Sequence, residues 1–178
     1  MKFTSVLVPT MLLASVLAEP IPSDKRALSD YRDILETVTD QIDVAAADLD
    51  AYINGTVPGS VVQAASEELV DLLEQAVIDI GPLASLSVLD ALQLITPITT
   101  LVNRVDSLTN ILIAAEPNFI ADGLDDEVLA ILYEFKAAGE DLRDVITPKV
   151  PSGLQRLANQ LADQVVADVD RAIAAYSD

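Results

Sequence analysis

Residues 28–52 read LSDYRDILETVTDQIDVAAADLDAY, and the spacing of apolar side chains in this stretch decides the fold class. Leu28, Tyr31, Leu35, Val38, Ile42, Ala45, Leu49 and Tyr52 follow one another at alternating intervals of three and four residues. That interval stacks all eight along one stripe of an α-helix. Asp30, Asp33, Glu36, Asp40, Asp43, Asp48 and Asp50 fill the surface between them, so the helix is amphipathic with an acidic outer face.

The same period recurs downstream. Val62, Ala65, Leu69, Leu73, Ala76 and Ile80 share a face in a second segment; Leu124, Val128, Ile131, Phe135, Ala138, Leu142 and Val145 do so in a fourth; Leu154, Ala158, Leu161, Val165, Val169, Ala172 and Tyr176 in a fifth. Proline and glycine mark the breaks, where a residue lacking an N–H donor does least harm. Asn54-Gly55-Thr56-Val57-Pro58-Gly59 ends the first helix, Gly81-Pro82 the second, Glu116-Pro117 the third and Thr147-Pro148-Lys149-Val150-Pro151 the fourth. Ser60 with Gln63, and Ser152 with Gln155, have the spacing of capping boxes, and Ser87 with Asp90 is a weaker version. No segment alternates with the two-residue period of a strand.

The third segment departs from this pattern. From Val88 to Asn103 only Asp90 is charged, and Leu89, Leu92, Leu94, Ile95, Ile98, Leu101 and Val102 make the helix apolar on nearly every side, the mark of a buried one. Pro97 falls inside it. A proline there removes a backbone hydrogen bond and either kinks one helix or separates two short ones; the sequence leaves both open. The expected fold is an all-α antiparallel bundle of about five amphipathic helices, with a buried, Pro-kinked third helix and short connections.

The leader sets the compartment. Residues 1–18 begin with Lys2, run through an apolar core from Val6 to Leu17 and close on Val16-Leu17-Ala18, too short for a membrane span and patterned as a secretory signal. Residues 19–26 carry Pro20, Pro22 and the dibasic pair Lys25-Arg26, which reads as a pro-segment and leaves residues 27–178 as one helical domain; the alternative is a leader that is never trimmed. Removing residues 1–26 takes three of the 10 basic and two of the 29 acidic residues, which leaves 7 against 27 and a formal charge of −20. Such a charge repels nucleic acid and anionic membranes. With no cysteine in the chain, the domain is held by packing alone. No hydrophobic tail follows the last helix, so a secreted, extracellular product without a transmembrane anchor is expected.

Composition also limits the chemistry. The chain has no histidine and no cysteine, which excludes Ser-His-Asp and Cys-His arrangements and histidine-based zinc sites. Carboxylate pairs such as Asp125 with Asp126 or Glu140 with Asp141 lie in acidic helix faces, where charge runs are ordinarily solvated. Aligning Gly55 with the glycine of a calcium loop puts Val61 where a bidentate glutamate is needed, so that motif fails. The reading is therefore a protein that is not an enzyme and needs no cofactor or metal. Asn54-Gly55-Thr56 is an N-glycosylation acceptor tripeptide in a loop, which makes Asn54 the candidate modification site.

Several stretches carry a resemblance: Leu-Asp-Ala-Leu-Gln-Leu-Ile-Thr-Pro-Ile at 89–98 followed by Leu101-Val102-Asn103, Ala-Glu-Pro-Asn-Phe at 115–119, Val-Ile-Thr-Pro-Lys-Val-Pro-Ser at 145–152 and the closing Ala-Ile-Ala-Ala-Tyr-Ser. Over essentially the whole mature region the chain resembles the fungal family of hydrophobic surface-binding protein A and the antigenic cell-wall galactomannoproteins. The resemblance implies a secreted helical bundle with one of two functions: enclosing a fatty acid between its helices, or adsorbing to hydrophobic solids and recruiting a secreted polyester-degrading esterase. It also implies association with the cell wall, although the long Ser/Thr-rich tail of many wall mannoproteins is not seen in this sequence.

Physical reasoning ranks these functions. With only six aromatic residues after residue 26, an apolar site built by this chain suits a flexible aliphatic chain better than a flat ring system. Candidate lining residues are Ile42, Leu73, Leu94, Ile98, Leu101, Leu132, Phe135 and Leu161, each of which can equally serve ordinary core packing. A carboxylate headgroup needs a polar partner. The scarce cations are Arg32, Arg104, Lys136 and Arg143. Arg32 with Glu36 and Lys136 with Glu140 have the spacing of surface i,i+4 ion pairs. Arg104, at the end of the apolar third helix with fewer acidic neighbours, is the preferred candidate, with the hydroxyls of Thr96, Thr99 and Thr100 as alternative donors. The favoured expectation is a carrier of long-chain fatty acids or other aliphatic lipids. The alternatives are an adhesin whose amphipathic helices spread on hydrophobic surfaces, and an acidic effector that binds a basic host protein through charge.

Overall fold

The computed structural model describes residues 23–177. The signal segment read at residues 1–18, and residues 19–22 of the pro-segment, lie outside them. The described residues form five α-helices: α1 (Ser23–Ile53), α2 (Gly59–Ile80), α3 (Val88–Asp122), α4 (Asp125–Ile146) and α5 (Ser152–Ala175), with a 3₁₀ turn at Thr147–Lys149 between the last two.

The helix ends show which local signals prevailed. α1 and α3 both stop in Schellman geometry: Gly55 and Gly123 each adopt φ 69°, a left-handed conformation that costs glycine little. The amides of Thr56 and Leu124 reach back to the carbonyls of Ala51 and Phe119, each at 2.9 Å. Gly123, and not Pro117, therefore ends the third helix. The turn beyond Pro117 is held by tertiary packing, because Phe119 is 2 % exposed and its ring stacks on Tyr52 at 4.5 Å between centroids. Burying such a ring is worth about 1.5–3 kcal/mol and an aromatic pair about 1 kcal/mol more, enough to offset the roughly 3 kcal/mol cost of an interior proline. Pro97 likewise sits inside one continuous helix, so it does not separate two short ones.

Helix starts correct the capping assignments. Pro58 and Pro151 occupy the N-cap positions of α2 and α5 with extended ψ of 159° and 140°, and neither helix has a side-chain cap. Ser60 and Ser152 thus fall inside their helices; Gln155 instead donates to the Val150 carbonyl at 3.0 Å. The weaker motif is the one that forms. Ser87 caps α3, accepting from the Asp90 amide at 3.2 Å while its hydroxyl donates to the Asp90 carboxylate at 2.6 Å.

Successive helices reverse direction, and the packing closes them into a ring. α1 packs on α2 and α3, α2 on α4, α4 on α5, and α5 on α3, so the order around the ring is α1, α2, α4, α5, α3. Cross-links along the seams give the directions. Arg32 to Gln93, Arg104 to Asp43 and Tyr52 to Asp122 place α3 parallel to α1, while Lys136 to Asp170 and Thr147 to Asn159 place α5 antiparallel to α4. Lys136 and Arg32 therefore reach across to other helices, where i,i+4 pairing within their own helix was expected. The ion pairs of Arg104 with Asp43 and Lys136 with Asp170 are surface links worth about 0–1 kcal/mol each.

Three tyrosines pin the ring internally. Tyr31 donates to the Ala84 carbonyl, Tyr52 to the Asp122 carboxylate and Tyr176 to the Leu112 carbonyl. Burial pushes the Tyr31 and Tyr52 hydroxyls up to about 12, helped at Tyr52 by Asp122, and raises Tyr176 as well, so all three remain neutral donors.

The core is uneven along the bundle. One end is solid, built on Leu49, Tyr52, Val62, Ala115, Phe119, Leu132, Val169, Ala172 and Tyr176. Toward the other end α4 and α5 contribute little to the core: Leu142, Val145, Ile146, Leu154, Leu161 and Val165 are all only partly buried. α3 is buried along one face through Ala91, Leu94, Val102 and Val105, while Val88, Leu89 and Leu92 on another face are 58 %, 67 % and 47 % exposed. The all-round apolar character of this segment thus marks a helix with two apolar faces, one turned inward and one turned outward.

The hollow end is tied shut by Lys149. Its ammonium donates to the carbonyls of Gly81 and Leu83 at 2.8 and 2.7 Å, and its own carbonyl accepts from the Leu86 amide at 2.9 Å. One side chain thereby joins the α2–α3 and α4–α5 connections. Lys149→Met keeps the aliphatic stem and loses both charged hydrogen bonds, so it is expected to cost about 2 kcal/mol. Urea unfolding checks the loss, and amide exchange at Leu86 should accelerate in parallel; an unchanged Leu86 protection would contradict the tie.

Candidate binding cavity

Five helices in a closed ring leave an axis that side chains must fill, and between the middle of the bundle and its hollow end they do not fill it. A cavity of about 170 Å³ lies there. Its wall includes Tyr31, Leu35, Val38 and Ile42 from α1, Leu73 and Ile80 from α2, Leu94, Ile98 and Leu101 from α3, Phe135 and Leu142 from α4, and Leu154, Leu161 and Val165 from α5. Ile95 and Ile98, on either side of Pro97, both belong to the wall. The lining of α3 runs from Ala91 to Val105, which at 1.5 Å per residue is about 21 Å, roughly the length of an extended acyl chain of sixteen carbons. The volume slightly exceeds that of hydrocarbon-lined cavities, about 150 Å³, that stay dry and accept a small apolar molecule.

The cavity opens between α4 and α5. Leu157, 37 % exposed, belongs to its wall, as do Arg143, Thr147 and Gly139. The seam is closed on either side of this stretch, by Lys136 with Asp170 and by Thr147 with Asn159. Gly139 lies between those ties, and a Cβ at this residue would meet nothing within 4 Å. Arg143 is the one ionised side chain on the wall; its Nε donates to Asp144 at 3.2 Å, and a third of the side chain is exposed. An apolar tunnel with a single cation at its mouth can take a molecule that is aliphatic along its length and anionic at one end.

A smaller cavity of about 80 Å³ lies toward the solid end, lined by Leu49, Val62, Leu69, Leu112, Phe119, Val128, Ile131 and Leu132 among others, with Gln63, Ser66, Thr109 and Glu127 as its polar members.

The sequence-derived lining residues distribute between the two cavities. Ile42, Leu73, Leu94, Ile98, Leu101, Phe135 and Leu161 lie on the wall of the larger, and Leu132 on the wall of the smaller, which Phe135 also lines. The headgroup candidates lie elsewhere. Thr96, Thr99 and Thr100 are exposed, and the last two spend their hydroxyls on the carbonyls of Ile95 and Thr96 one turn back, at 2.8 and 3.0 Å. Arg104 pairs with Asp43 on the outer surface at 3.3 Å. All four are on the outward face of α3. Arg143 is one of the four scarce cations, but sequence reasoning prefers Arg104 to it, and Thr147 carries no local signal; the interior glycine at 139, a costly residue in mid-helix, is a further hint available in the sequence.

Asn54 is exposed just beyond α1, where its side-chain amide donates to the Asp50 carbonyl at 2.7 Å. Among the described residues no helix is long and apolar enough to cross a membrane.

Residues 28–148 match the family described as hydrophobic surface binding protein A. Cell wall mannoprotein 1 of Aspergillus flavus is 30% identical over 179 residues, covering 100% of this chain and 63% of the relative. The protein of the same name from Aspergillus fumigatus is 30% identical over 178 residues, covering 100% of this chain and 61% of the relative. The chain thus spans about three fifths of the length of these two mannoproteins. Among solved structures, ligand binding domain 1 of the Penicillium marneffei MP1 protein, complexed with arachidonic acids, superposes with a TM-score of 0.82 at 24% identity, covering 86% of this chain and 100% of that one. AFMP4P in complex with palmitic acid superposes with a TM-score of 0.77 at 18% identity, covering 86% and 99%. These likenesses establish a shared helical fold.

Proposed function

The chain belongs to the hydrophobic surface binding protein A family, and from that premise and the shape of its cavity we propose that it is a secreted, non-enzymatic carrier of long-chain fatty acids. The observation that carries this reading is the closed ring of five helices around an apolar tunnel whose wall, among the described residues, has one ionised side chain, Arg143, paired with Asp144 at the mouth. The tail lies along Leu94, Ile98, Leu101 and Leu161, and the carboxylate meets Arg143 at the mouth. Each methylene taken from water contributes about 0.8 kcal/mol, so the tail supplies most of the affinity and the headgroup contact sets orientation. Two of the solved structures that share the fold hold arachidonic and palmitic acid, which supports the same ligand class here. The mannoprotein relatives support a location outside the cell or at its wall. Asn54, next to the solid end of the bundle, is the glycan acceptor in this reading, and a glycan there leaves the mouth free.

Lipids extracted from the purified protein and identified by mass spectrometry, with displacement of a fluorescent fatty acid as the solution assay, test the proposal; an empty extract together with no displacement would refute it. The headgroup assignment has its own test. A charge-assisted hydrogen bond is worth about 1.5–3 kcal/mol when sheltered, and at a third-exposed arginine about 1 kcal/mol is expected. Arg143→Gln should therefore weaken a fatty acid about fivefold and leave the matching fatty alcohol unchanged. Equal losses for acid and alcohol would show that Arg143 acts by packing alone.

One observation favours a second reading. Val88, Leu89 and Leu92 expose apolar surface on the first turns of α3, with Leu89 and Leu92 one helical step apart. We propose that this face gives the protein a capacity to adsorb to hydrophobic solids, in keeping with the family's description, and recruitment of a secreted esterase belongs to this second reading.

A further inference from the structure

The two cavities are neighbours, and two side chains belong to both walls: Val105 of α3 and Phe135 of α4. Beyond them an apolar strip of lining continues through Leu108 and Leu112 on α3 and Ile131, Leu132 and Val128 on α4. Val105 is 3 % exposed and β-branched, which fixes its position and its rotamer. Phe135 is only partly buried and lines both cavities, so its ring stands between them.

We propose that Phe135 is the floor of the acyl tunnel and sets the length of fatty acid that binds best. Along α4 the mouth at Arg143 is eight residues from Phe135, about 12 Å of helix, and Val128 is seven residues further, about 10 Å. A tail entering at the mouth and turned toward the solid end meets the ring before its methyl end reaches the smaller cavity. Acids that fit above the ring bind without moving it, and longer ones must displace it or leave methylenes in water. This inference rests on the carrier reading and specifies which members of that ligand class are favoured.

The test is displacement titration with saturated acids from six to twenty-two carbons, on the full chain and on Phe135→Ala. The parent protein is expected to gain affinity with length and then stop gaining. In Phe135→Ala the two cavities are continuous, and affinity should go on rising past that length by about fourfold per added methylene. Phe135→Leu, which retains an apolar side chain close to the original volume, should give an intermediate plateau, and it carries the test if the alanine variant does not fold. A common length profile in parent and variants, with binding intact, overturns the partition and leaves the carrier reading standing. Failure of every acid to bind any of the proteins overturns both.

Discussion

Gly139→Leu is expected to make the protein more stable and a poorer binder at once. Glycine in the middle of α4 costs about 1 kcal/mol relative to a strong helix former, and leucine recovers most of that. For a domain of this size about 1 kcal/mol corresponds to a rise of roughly 3 °C in Tm. The new side chain enters open space, since nothing lies within 4 Å of a Cβ at this residue, so no neighbour has to move. That space is also the mouth of the tunnel between Arg143 and Phe135. Denying it to about three methylenes costs about 2.4 kcal/mol, close to fifty-fold in affinity. Calorimetric unfolding and fatty-acid displacement on the same preparation check both halves. A stabilised variant with unchanged affinity would move the mouth away from the α4–α5 seam.

Phe119→Ala should do the reverse. Phe119 is among the largest fully buried side chains and lies between Tyr52 and Tyr176, at 4.5 and 6.2 Å between ring centroids. It also holds the last turn of α3 beyond Pro117. Truncating a buried phenylalanine costs about 3–5 kcal/mol, a large part of the 5–15 kcal/mol that a domain has in total, and the expected fall in Tm is about 12 °C. Phe119 does not line the larger cavity, so well below the transition the affinity for a palmitate-length acid should stay within about twofold of the parent. Thermal unfolding and low-temperature titration measure the two quantities separately. A large loss of affinity in the folded variant would mean that the solid end and the tunnel are not independent.

Periodicity alone identifies the inward stripe of each helix, because burial repeats with the helical turn whatever the helix packs against. Hence Leu94, Ile98, Leu101 and Leu161 could be named as lining without knowing the order of the helices. The same argument overreached on the outer face of α3. A segment apolar on both sides reads as buried, yet Leu89 and Leu92 are exposed in the structure. Local stop signals also compete, and tertiary contacts decide between them: Phe119 carries α3 past Pro117, and Gly123 ends it where a left-handed residue is needed. The mouth was the least legible feature. Its walls come from α4 and α5, which pair antiparallel, and no local pattern encodes that pairing. In sequence the threonines stand out for their nearness to Pro97 and Arg104 for its few acidic neighbours, whereas the helix turns all four side chains to the surface.

The central claim, that the tunnel within the ring holds the acyl chain, is tested most directly by intermolecular nuclear Overhauser effects between an isotope-labelled palmitate-length fatty acid and the protein's methyl groups. The account predicts contacts from the acyl protons to Leu94, Ile98, Leu101 and Leu161, and none to Leu89 or Leu92. Contacts concentrated on Val88, Leu89 and Leu92, with none inside the tunnel, would contradict it and make the outer face of α3 the lipid-binding surface.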